Sequence, residues 1–275
     1  MIDVPIEFRP EPTLRYPSHQ NGPRLEKAFH NWYMHNNMGT RLEYIPIYWV
    51  NYYVANGFGS NRAVLSVKRF LDSVIVPGKR YFTVCEYADG TIIDHPQLTV
   101  FNCGKKDGIH LPLMCDRHYR AMSERLLLAS FVGRTSTHPV RKKMADALKN
   151  KKDIKIVDGD GDIDTFCSCM EASHFALCPR GYGVTSFRLY EAMQFGCVPI
   201  YISDDFMLPM TEKVSWEKIC LLIKPSEIDT IPERVKGLIF SGEWDKLSAC
   251  CMEAYNCAFS LNNLFYYIID TVNSL

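Results

Sequence analysis

The residues that are most suggestive of chemistry lie between positions 178 and 209, in the stretch CPRGYGVTSFRLYEAMQFGCVPIYISDDFMLP. Here an apolar run leads into a glycine-containing loop, and the loop leads into a segment with helical periodicity. A strand–loop–helix unit of this kind points unpaired backbone N–H groups and the positive end of the helix dipole into one crevice. The loop residues and the possible helix starts are Arg180, Gly181, Tyr182, Gly183, Thr185 and Ser186. The pattern indicates an anion site, although a plain connection with a glycine-rich loop has the same local sequence.

Two charged residues on the predicted helix sharpen this interpretation. Arg188 falls in the first turn, where a cation opposes the helix dipole, and an anion held between Arg188 and the helix end would remove that conflict. Glu191 lies three residues further on the same face, so it either binds ligand hydroxyls or pairs with Arg188. Arg134 ends another predicted strand, and it either joins the anion site or pairs with Asp160 or Asp162.

Composition excludes several classes of protein. The chain has 275 residues, 47% hydrophobic and 23% charged, which is typical of a folded protein with a sizeable core. Its 31 Lys and Arg residues balance its 31 Asp and Glu residues, which argues against a nucleic-acid partner. No apolar run approaches the roughly 20 residues of a membrane span, and the N-terminus lacks a secretory core.

The cysteines and acidic residues do not form a metal motif. The 11 cysteines are odd in number, and no asparagine begins a glycosylation sequon, so we expect reduced thiols and a cytoplasmic protein. Cys167 and Cys169 have C-x-C spacing without nearby histidines, which favours core residues. The acidic stretch 158–164 has Ile163 and Cys169 where a calcium loop needs Gly and Glu. We therefore expect no bound metal. The chain also lacks the G-x-G-x-x-G pattern of dinucleotide-binding dehydrogenases.

The predicted elements alternate between strands and helices, which indicates an α/β fold with parallel sheets. In the first half, a polar, turn-rich segment of about forty residues precedes an edge or bulged strand, since Pro46 falls inside its pattern. The first-half predictions are strands over 42–50, 80–87 and 98–103 and a helix capped by Ser60 that ends near 76. The second-half predictions are strands over 126–132, 154–157, 174–178, 197–202 and 219–223, helices over 139–150, 164–172 and 185–195, and two or three closing helices.

The stretch 178–209 resembles the signature of exostosin-family glycosyltransferases. That signature runs Cys-x-x-Pro-Arg-Gly or a close relative, then Ser-x-Arg-x-x-Glu-Ala, then Gly-Cys-x-Pro-x-x-x-x-Asp and a later Leu-Pro. Residues 130–134 (SFVGR) are similar to the family's Phe-x-Gly-Arg strand end, and Arg141 is similar to the arginine of its following helix. The resemblance covers about residues 126–225, and it extends to the compact, soluble members that large DNA viruses encode.

The resemblance implies a GT-B architecture, with two Rossmann-like lobes whose parallel sheets face a central cleft. Residues 1–115 are then expected to form an acceptor-binding lobe and residues 116–255 a nucleotide-sugar-binding lobe, while 256–275 form a C-terminal helix that packs back on the first lobe. The implied activity is inverting, metal-independent transfer, without an obligatory cofactor, from a UDP-sugar to a hydroxyl of an oligosaccharide or glycoprotein glycan. Analogy favours UDP-xylose over UDP-galactose and UDP-glucuronate. The alternative is a catalytically inactive nucleotide- or glycan-binding module of the same fold.

The roles expected of individual residues follow from that chemistry. Negative charge develops on the leaving diphosphate, so arginines and helix-end N–H groups directed at it are expected to contribute most to catalysis. The expected donor-binding residues are Arg134, Arg180, Gly181, Tyr182, Gly183, Thr185, Ser186, Arg188 and Glu191, with Arg188 also acting in catalysis. Asp89 is the first choice for the catalytic base and Glu86 the second; Asp94, His95 and His110 are rivals. The aromatic residues Trp32, Tyr33, Trp49, Tyr52 and Tyr53 either stack on acceptor sugars or belong to the core.

Overall fold

The chain folds into two α/β units, each built around its own parallel sheet. The computed structural model describes residues 1–9, 24–104, 107–119, 124–159 and 161–275. The first unit comprises Met1–Met114 together with Leu261–Leu275, and the second comprises Cys115–Ser260. The two parallel sheets confirm the predicted α/β class.

The first unit has a four-stranded sheet in the order β1-β2-β3-β4, with every neighbouring pair parallel. Its elements in chain order are α1 (Leu25–Asn36), β1 (Glu43–Tyr44), α2 (Trp49–Ala55), α3 (Asn61–Val74), β2 (Tyr81–Cys85), β3 (Leu98–Asn102) and β4 (Ile109–His110). The predicted Ser60 cap is confirmed, because the Ser60 side chain accepts a hydrogen bond from the Ala63 N–H. Strands β2 and β3 lie within the ranges predicted for them.

Two predictions for the first half are wrong. The strand expected over residues 42–50 is only two residues long, and Trp49 and Val50 begin α2 instead. Pro46 has no N–H to donate and follows an edge strand, so the ladder ends there. The segment expected to be turn-rich contains α1, whose Phe29 is fully buried against the Phe82 ring. The polar residues interspersed along α1 obscure the periodicity of its apolar face, so the sequence alone does not indicate a helix there.

The second unit has a five-stranded parallel sheet in the order β6-β5-β7-β8-β9. Its elements are β5 (Leu127–Gly133), α4 (Pro139–Leu148), β6 (Ile154–Asp158), α5 (Ile163–Ala172), β7 (Ser173–Pro179), α6 (Phe187–Gln194), β8 (Val198–Ile202), β9 (Leu221–Ile223), α7 (Ile231–Phe240) and α8 (Glu243–Ala254). The strands and helices predicted here from residue 126 to residue 223 are present, with ends that shift by one or two residues.

The last helix, α9 (Leu261–Ser274), belongs to the first unit. Its Phe265 ring lies 5.4 Å from the Phe29 ring and 5.4 Å from the Trp32 ring, both on α1. Trp49 and Tyr53 are fully buried in the same unit, so these aromatic residues are part of the core. In the described part of the chain, no helix has both the length and the apolar character that crossing a bilayer requires. All 11 cysteines are described, and none of them forms a disulfide.

Candidate functional site

The strand order of the second unit defines where a ligand can approach its sheet. After β5 the chain crosses to β6 on one side, and it then returns to β7 on the other side of β5. Such a reversal opens a crevice at the carboxyl ends of the two central strands, and open α/β sheets bind ligands there. The residues that follow β5 begin with Arg134, and those that follow β7 begin with Arg180, so both predicted loops reach this switch point.

Two arginines, the buried Arg188 and the half-buried Arg141, meet at this edge on one aromatic ring. The guanidinium carbon of Arg188 lies 4.6 Å from the centre of the Phe131 ring, and that of Arg141 lies 5.8 Å from it. Arg188 Nη2 donates a hydrogen bond to the Val132 carbonyl. Arg141 Nε donates to the Arg180 carbonyl at 3.0 Å, and its Nη1 donates to the Arg134 carbonyl at 3.2 Å. Arg141 therefore ties the two loops together.

Arg141 and Arg188 place two positive charges close together at a partly buried position. Burial and the neighbouring Arg188 guanidinium lower the pKa of Arg141 to about 10. Burial also lowers the pKa of Arg188, although the Cys178 thiol and the Glu191 carboxyl oppose this effect. The Nε of Arg188 is buried and has no hydrogen-bond partner in the described part of the chain. An anion at this edge would supply the missing acceptor and the missing negative charge.

Two glycines leave room for the arginines. A Cβ atom added to Gly133, which has φ of +152°, would lie 2.8 Å from Arg188 Nη2. A Cβ atom at Gly181 would lie 3.0 Å from Arg141 Nη2. The space beside the loop glycine Gly181 is thus occupied by the Arg141 side chain. The glycines are needed because the guanidinium groups lie against the backbone.

The predicted loop residues have different surroundings. Arg180 Nη1 donates to Asp204 Oδ1 at 2.6 Å and its Nη2 donates to the Tyr182 carbonyl at 3.3 Å, so part of its charge is already paired. The Tyr182 side chain is exposed. Ser186 is the N-cap residue of α6 but makes no side-chain capping bond, and Thr185 Oγ1 is buried without a partner in the described residues. The start of α6 therefore keeps the uncapped donors that the sequence pattern predicts.

Glu191 has a partner that the sequence did not suggest. Its Oε1 lies 3.6 Å from His118 Nε2, and among the described residues no salt bridge between Glu191 and Arg188 is formed. His118 stands in a segment with no periodic pattern, and no local signal could have found it. Arg141 was noted only through the family resemblance, since a basic residue on a helix is normally solvent-exposed.

The acidic stretch after β6 has a local structural role. Asp158 accepts hydrogen bonds from the Thr135 N–H at 2.8 Å and from Thr135 Oγ1 at 2.7 Å. Asp162 caps α5 by accepting from the Thr165 N–H at 2.7 Å. These bonds lower the pKa values of both carboxyls. Asp160, the other proposed partner of Arg134, lies outside the described residues.

The residues predicted as bases lie in the first unit, after β2. Glu86 is buried, and its Oε2 accepts a hydrogen bond from the Leu25 N–H at 3.1 Å. Beside it lies Glu26, which is fully buried and whose Oε1 accepts from the Glu86 N–H at 2.9 Å. Burial and the adjacent Glu86 carboxyl raise the pKa of Glu26 to about 7, and burial also raises the pKa of Glu86. The Asp89 side chain is exposed in the turn that follows.

The rival bases are more exposed. Asp94 is exposed, while His95 is half-buried and its Nδ1 accepts a hydrogen bond from the Gln97 N–H at 3.2 Å. His110 is half-buried in β4. Nothing in the first unit singles out one of these groups as the base, and the assignment stays a prediction.

Known proteins resemble the part of the chain that contains this edge. Residues 102–238 match the model of the exostosin GT47 domain. A probable glycosyltransferase of Arabidopsis thaliana is 35% identical over 105 residues, which cover 38% of this chain and 22% of that protein. The probable beta-1,4-xylosyltransferase IRX10 of Arabidopsis thaliana is 40% identical over 70 residues, 24% of this chain and 17% of that protein. The chain thus spans about a fifth of the length of these curated relatives.

Among solved structures, the pneumococcal O-GlcNAc transferase GtfA in complex with UDP and GlcNAc has a TM-score of 0.46 and 12% sequence identity, over 87% of this chain and 50% of that chain. The matched range includes the residues described above at the carboxyl edge of β5 and β7, namely Phe131, Arg134, Arg141, Arg180 and Arg188. The expectation drawn from the signature at 178–209 is confirmed by the domain match. The chain belongs to the exostosin family, and residues 102–238 are its exostosin GT47 domain.

Proposed function

We propose that the chain is an inverting glycosyltransferase that takes a sugar from a UDP-sugar bound at the carboxyl edge of β5 and β7. The observation that carries the proposal is the pair of guanidiniums on the Phe131 ring, that of the buried Arg188 at 4.6 Å and that of the half-buried Arg141 at 5.8 Å from its centre. Burying Arg188 next to a second guanidinium, whose pKa it lowers, costs free energy unless an anion joins the two. A diphosphate carries the charge and the acceptor oxygens that these groups lack.

The leaving diphosphate gains charge as the bond to the sugar breaks, so donors held in place before the reaction stabilise the transition state. We assign this role to Arg188, with Arg134, Arg141 and Arg180 around it. Thr185 Oγ1 and the uncapped N–H groups at the start of α6 add neutral donors. Each hydrogen bond to a charged group contributes about 1.5–3 kcal/mol net. Several such bonds are sufficient to stabilise the diphosphate without a metal ion.

Inversion requires a base that removes the proton from the acceptor hydroxyl as the hydroxyl attacks the sugar. Asp89 remains the first proposal because its carboxylate is exposed. Glu86 is the second, although its burial and its bond to the Leu25 N–H favour a structural role. Two of the relatives are a probable glucuronosyltransferase and a probable xylosyltransferase. Their names support UDP-xylose and UDP-glucuronate as donors, with UDP-xylose favoured and UDP-galactose the remaining alternative; the acceptor is a glycan hydroxyl.

The test is release of UDP from each of the three donors, with and without a panel of oligosaccharide acceptors, in buffer that contains EDTA. We expect UDP release with at least one donor, an increase on addition of an acceptor, and no dependence on added divalent cations. UDP binding without turnover of any donor would favour the inactive binding module. Loss of activity in EDTA that returns with a metal would show that the metal-independent mechanism is wrong.

A further inference from the structure

The imidazole of His118 is held in one position by several independent contacts. Its ring centre lies 5.7 Å from that of Phe166 and 5.4 Å from that of Phe195, and its side chain is 8% exposed. Its Nδ1 lies 4.0 Å from the Cys167 sulfur. A side chain packed between two aromatic rings has little freedom to turn, so the direction of its other nitrogen is set by the fold.

The segment that carries His118 is attached to α6 by Gln194. The His118 N–H donates to Gln194 Oε1 at 2.8 Å, and Gln194 Nε2 donates to the Asp116 carbonyl at 2.9 Å. Gln194 Nε2 also lies 3.2 Å from the Cys115 sulfur. Since Gln194 is three residues after Glu191, these bonds place His118 beside the helix face on which Glu191 lies. The attachment uses both ends of one amide, and a shift of the segment would break all three contacts.

The other nitrogen of the ring faces Glu191. His118 Nε2 is buried, has no hydrogen-bond partner in the described residues, and lies 3.6 Å from Glu191 Oε1. This distance is too long for a direct hydrogen bond, so Glu191 remains able to accept a hydrogen bond from a ligand. His118 therefore restricts the orientation of the Glu191 carboxylate and leaves its oxygens able to accept hydrogen bonds.

We propose that His118 is a positioning residue that orients the Glu191 carboxylate to accept a ribose hydroxyl of the bound nucleotide. The inference rests on the proposed function, in which α6 binds a UDP-sugar and Glu191 binds its ribose. Residues that hold a ligand-binding group commonly affect binding by about 10- to 100-fold, as the outer shells of metal sites do. His118 does not touch the ligand, and its effect passes through the orientation of Glu191.

The experiment measures the affinity of the whole chain for UDP, 2′-deoxy-UDP and 3′-deoxy-UDP by titration calorimetry. The variant His118→Phe keeps an aromatic ring between Phe166 and Phe195 and removes the nitrogen that faces Glu191. We expect the preference for UDP over one of the two deoxynucleotides to fall about tenfold in this variant, while the affinity for that deoxynucleotide stays nearly constant. His118→Gln, which can still donate to a carboxylate, should restore part of the preference. It also serves as the second variant if His118→Phe does not fold.

Two further variants separate the possible outcomes. His174→Phe is the matched control, because His174 also packs on an aromatic ring of the second unit, 4.7 Å from Trp244, and lies at the other end of β7. Its ribose preference should equal that of the parent. Glu191→Ala should lose the preference altogether. An unchanged preference in Glu191→Ala would remove the ribose role from the proposed function. If Glu191→Ala loses the preference but His118→Phe keeps it, or weakens all three nucleotides equally, the positioning role is wrong and the proposed function stands.

Discussion

At the carboxyl ends of their sheets, the two units each hold a pair of like-charged side chains, and the two pairs have opposite signs. In the second unit, Arg141 and Arg188 lie on the Phe131 ring at the end of β5. In the first unit, Glu26 and Glu86 lie at the end of β2, where each accepts a backbone N–H. Both pairs place like charges together, and burial and the neighbouring like charge shift the pKa values of Glu26 and Arg141.

The two pairs differ in how they can relieve this repulsion. A carboxyl whose pKa lies near 7 can take up a proton, and a protonated carboxyl can donate to its neighbour. The Glu26 and Glu86 pair therefore needs no other molecule. Arginines stay charged at neutral pH, including Arg141 with its pKa of about 10, so the pair can be neutralised only by negative charge, from the nearby Glu191 carboxyl or from a bound anion. The comparison suggests that the acidic pair is structural and that the basic pair is a ligand site.

The largest expected effect is that of a substitution in the arginine pair of the second unit. Arg188→Lys replaces a planar group with five donors by a point charge that cannot contact the Val132 carbonyl and an anion in the same geometry. We expect UDP affinity and the transfer rate to fall by about 100-fold, the cost of one or two charged hydrogen bonds. The measurements are calorimetry with UDP and initial rates with the best donor.

The control is Arg234→Lys on α7, a half-exposed arginine that lies 3.8 Å from Glu227. This variant should bind UDP as the parent does. If Arg188→Lys retained near-normal affinity and rate, the arginine pair would be structural, and the difference between the two edges would disappear.

The next largest effect is the pH dependence of stability that the Glu26 and Glu86 pair produces. The folded state raises the pKa of Glu26 from 4.5 to about 7, so between these values it holds a proton that the unfolded chain releases. Stability is therefore greatest below the unfolded value and falls as the pH rises through about 7. We expect a loss of about 1–3 kcal/mol in the free energy of unfolding between pH 5 and pH 8. Urea unfolding curves at several pH values measure it.

Glu26→Gln is the matched variant for this prediction, because the amide oxygen can still accept from the Glu86 N–H but cannot ionise. Its stability should vary less with pH than that of the parent over the same range. Hydrogen exchange at the Leu25 and Glu86 amides, which donate to the pair, gives a local measurement. Equal slopes in the two proteins would mean that Glu26 does not hold a proton in the folded state.

A smaller effect comes from the space around the arginines. Gly133→Ala would place a methyl group 2.8 Å from Arg188 Nη2 at a backbone angle that side chains rarely adopt. We expect a loss of about 1–3 kcal/mol in stability, together with weaker UDP binding. Gly237→Ala in α7 meets no atom within 4 Å and should instead gain about 0.5–1 kcal/mol. Thermal unfolding of both variants measures the difference, and a Gly133 variant as stable as the parent would contradict the packing described here.

The smallest effect concerns the arginine that already has a partner. Asp204→Asn removes the carboxylate that binds Arg180 at 2.6 Å, and Asp204 is 56% exposed, so stability should change by less than about 1 kcal/mol. Because Arg180 would then be free to bind an anion, we expect UDP affinity to rise by about two- to threefold. A UDP affinity that is unchanged in this variant would place Arg180 outside the diphosphate site.

The second unit was more predictable from sequence than the first. Strands buried on both faces, such as β7 and β8, are nearly continuous apolar runs, while α4 begins with a proline and α5 begins with a capping aspartate. In the first unit, α1 mixes His, Asn and Trp on its surface, and the short β1 is followed by a helix within one apolar run. Periodicity cannot separate a strand from a helix in such a short run.

Local chemistry alone predicts that an anion binds where a strand passes through Arg180 and a glycine loop into α6, since helix ends carry the same dipole in any fold. It also predicts that Arg188 and Glu191 share a helix face, because residues three apart on a helix are neighbours. Which side chains approach them is a different matter. Arg141, His118 and Glu26 come from distant parts of the chain and meet their partners through strand order and packing. No local pattern encodes those contacts, because they arise only after the sheets have formed.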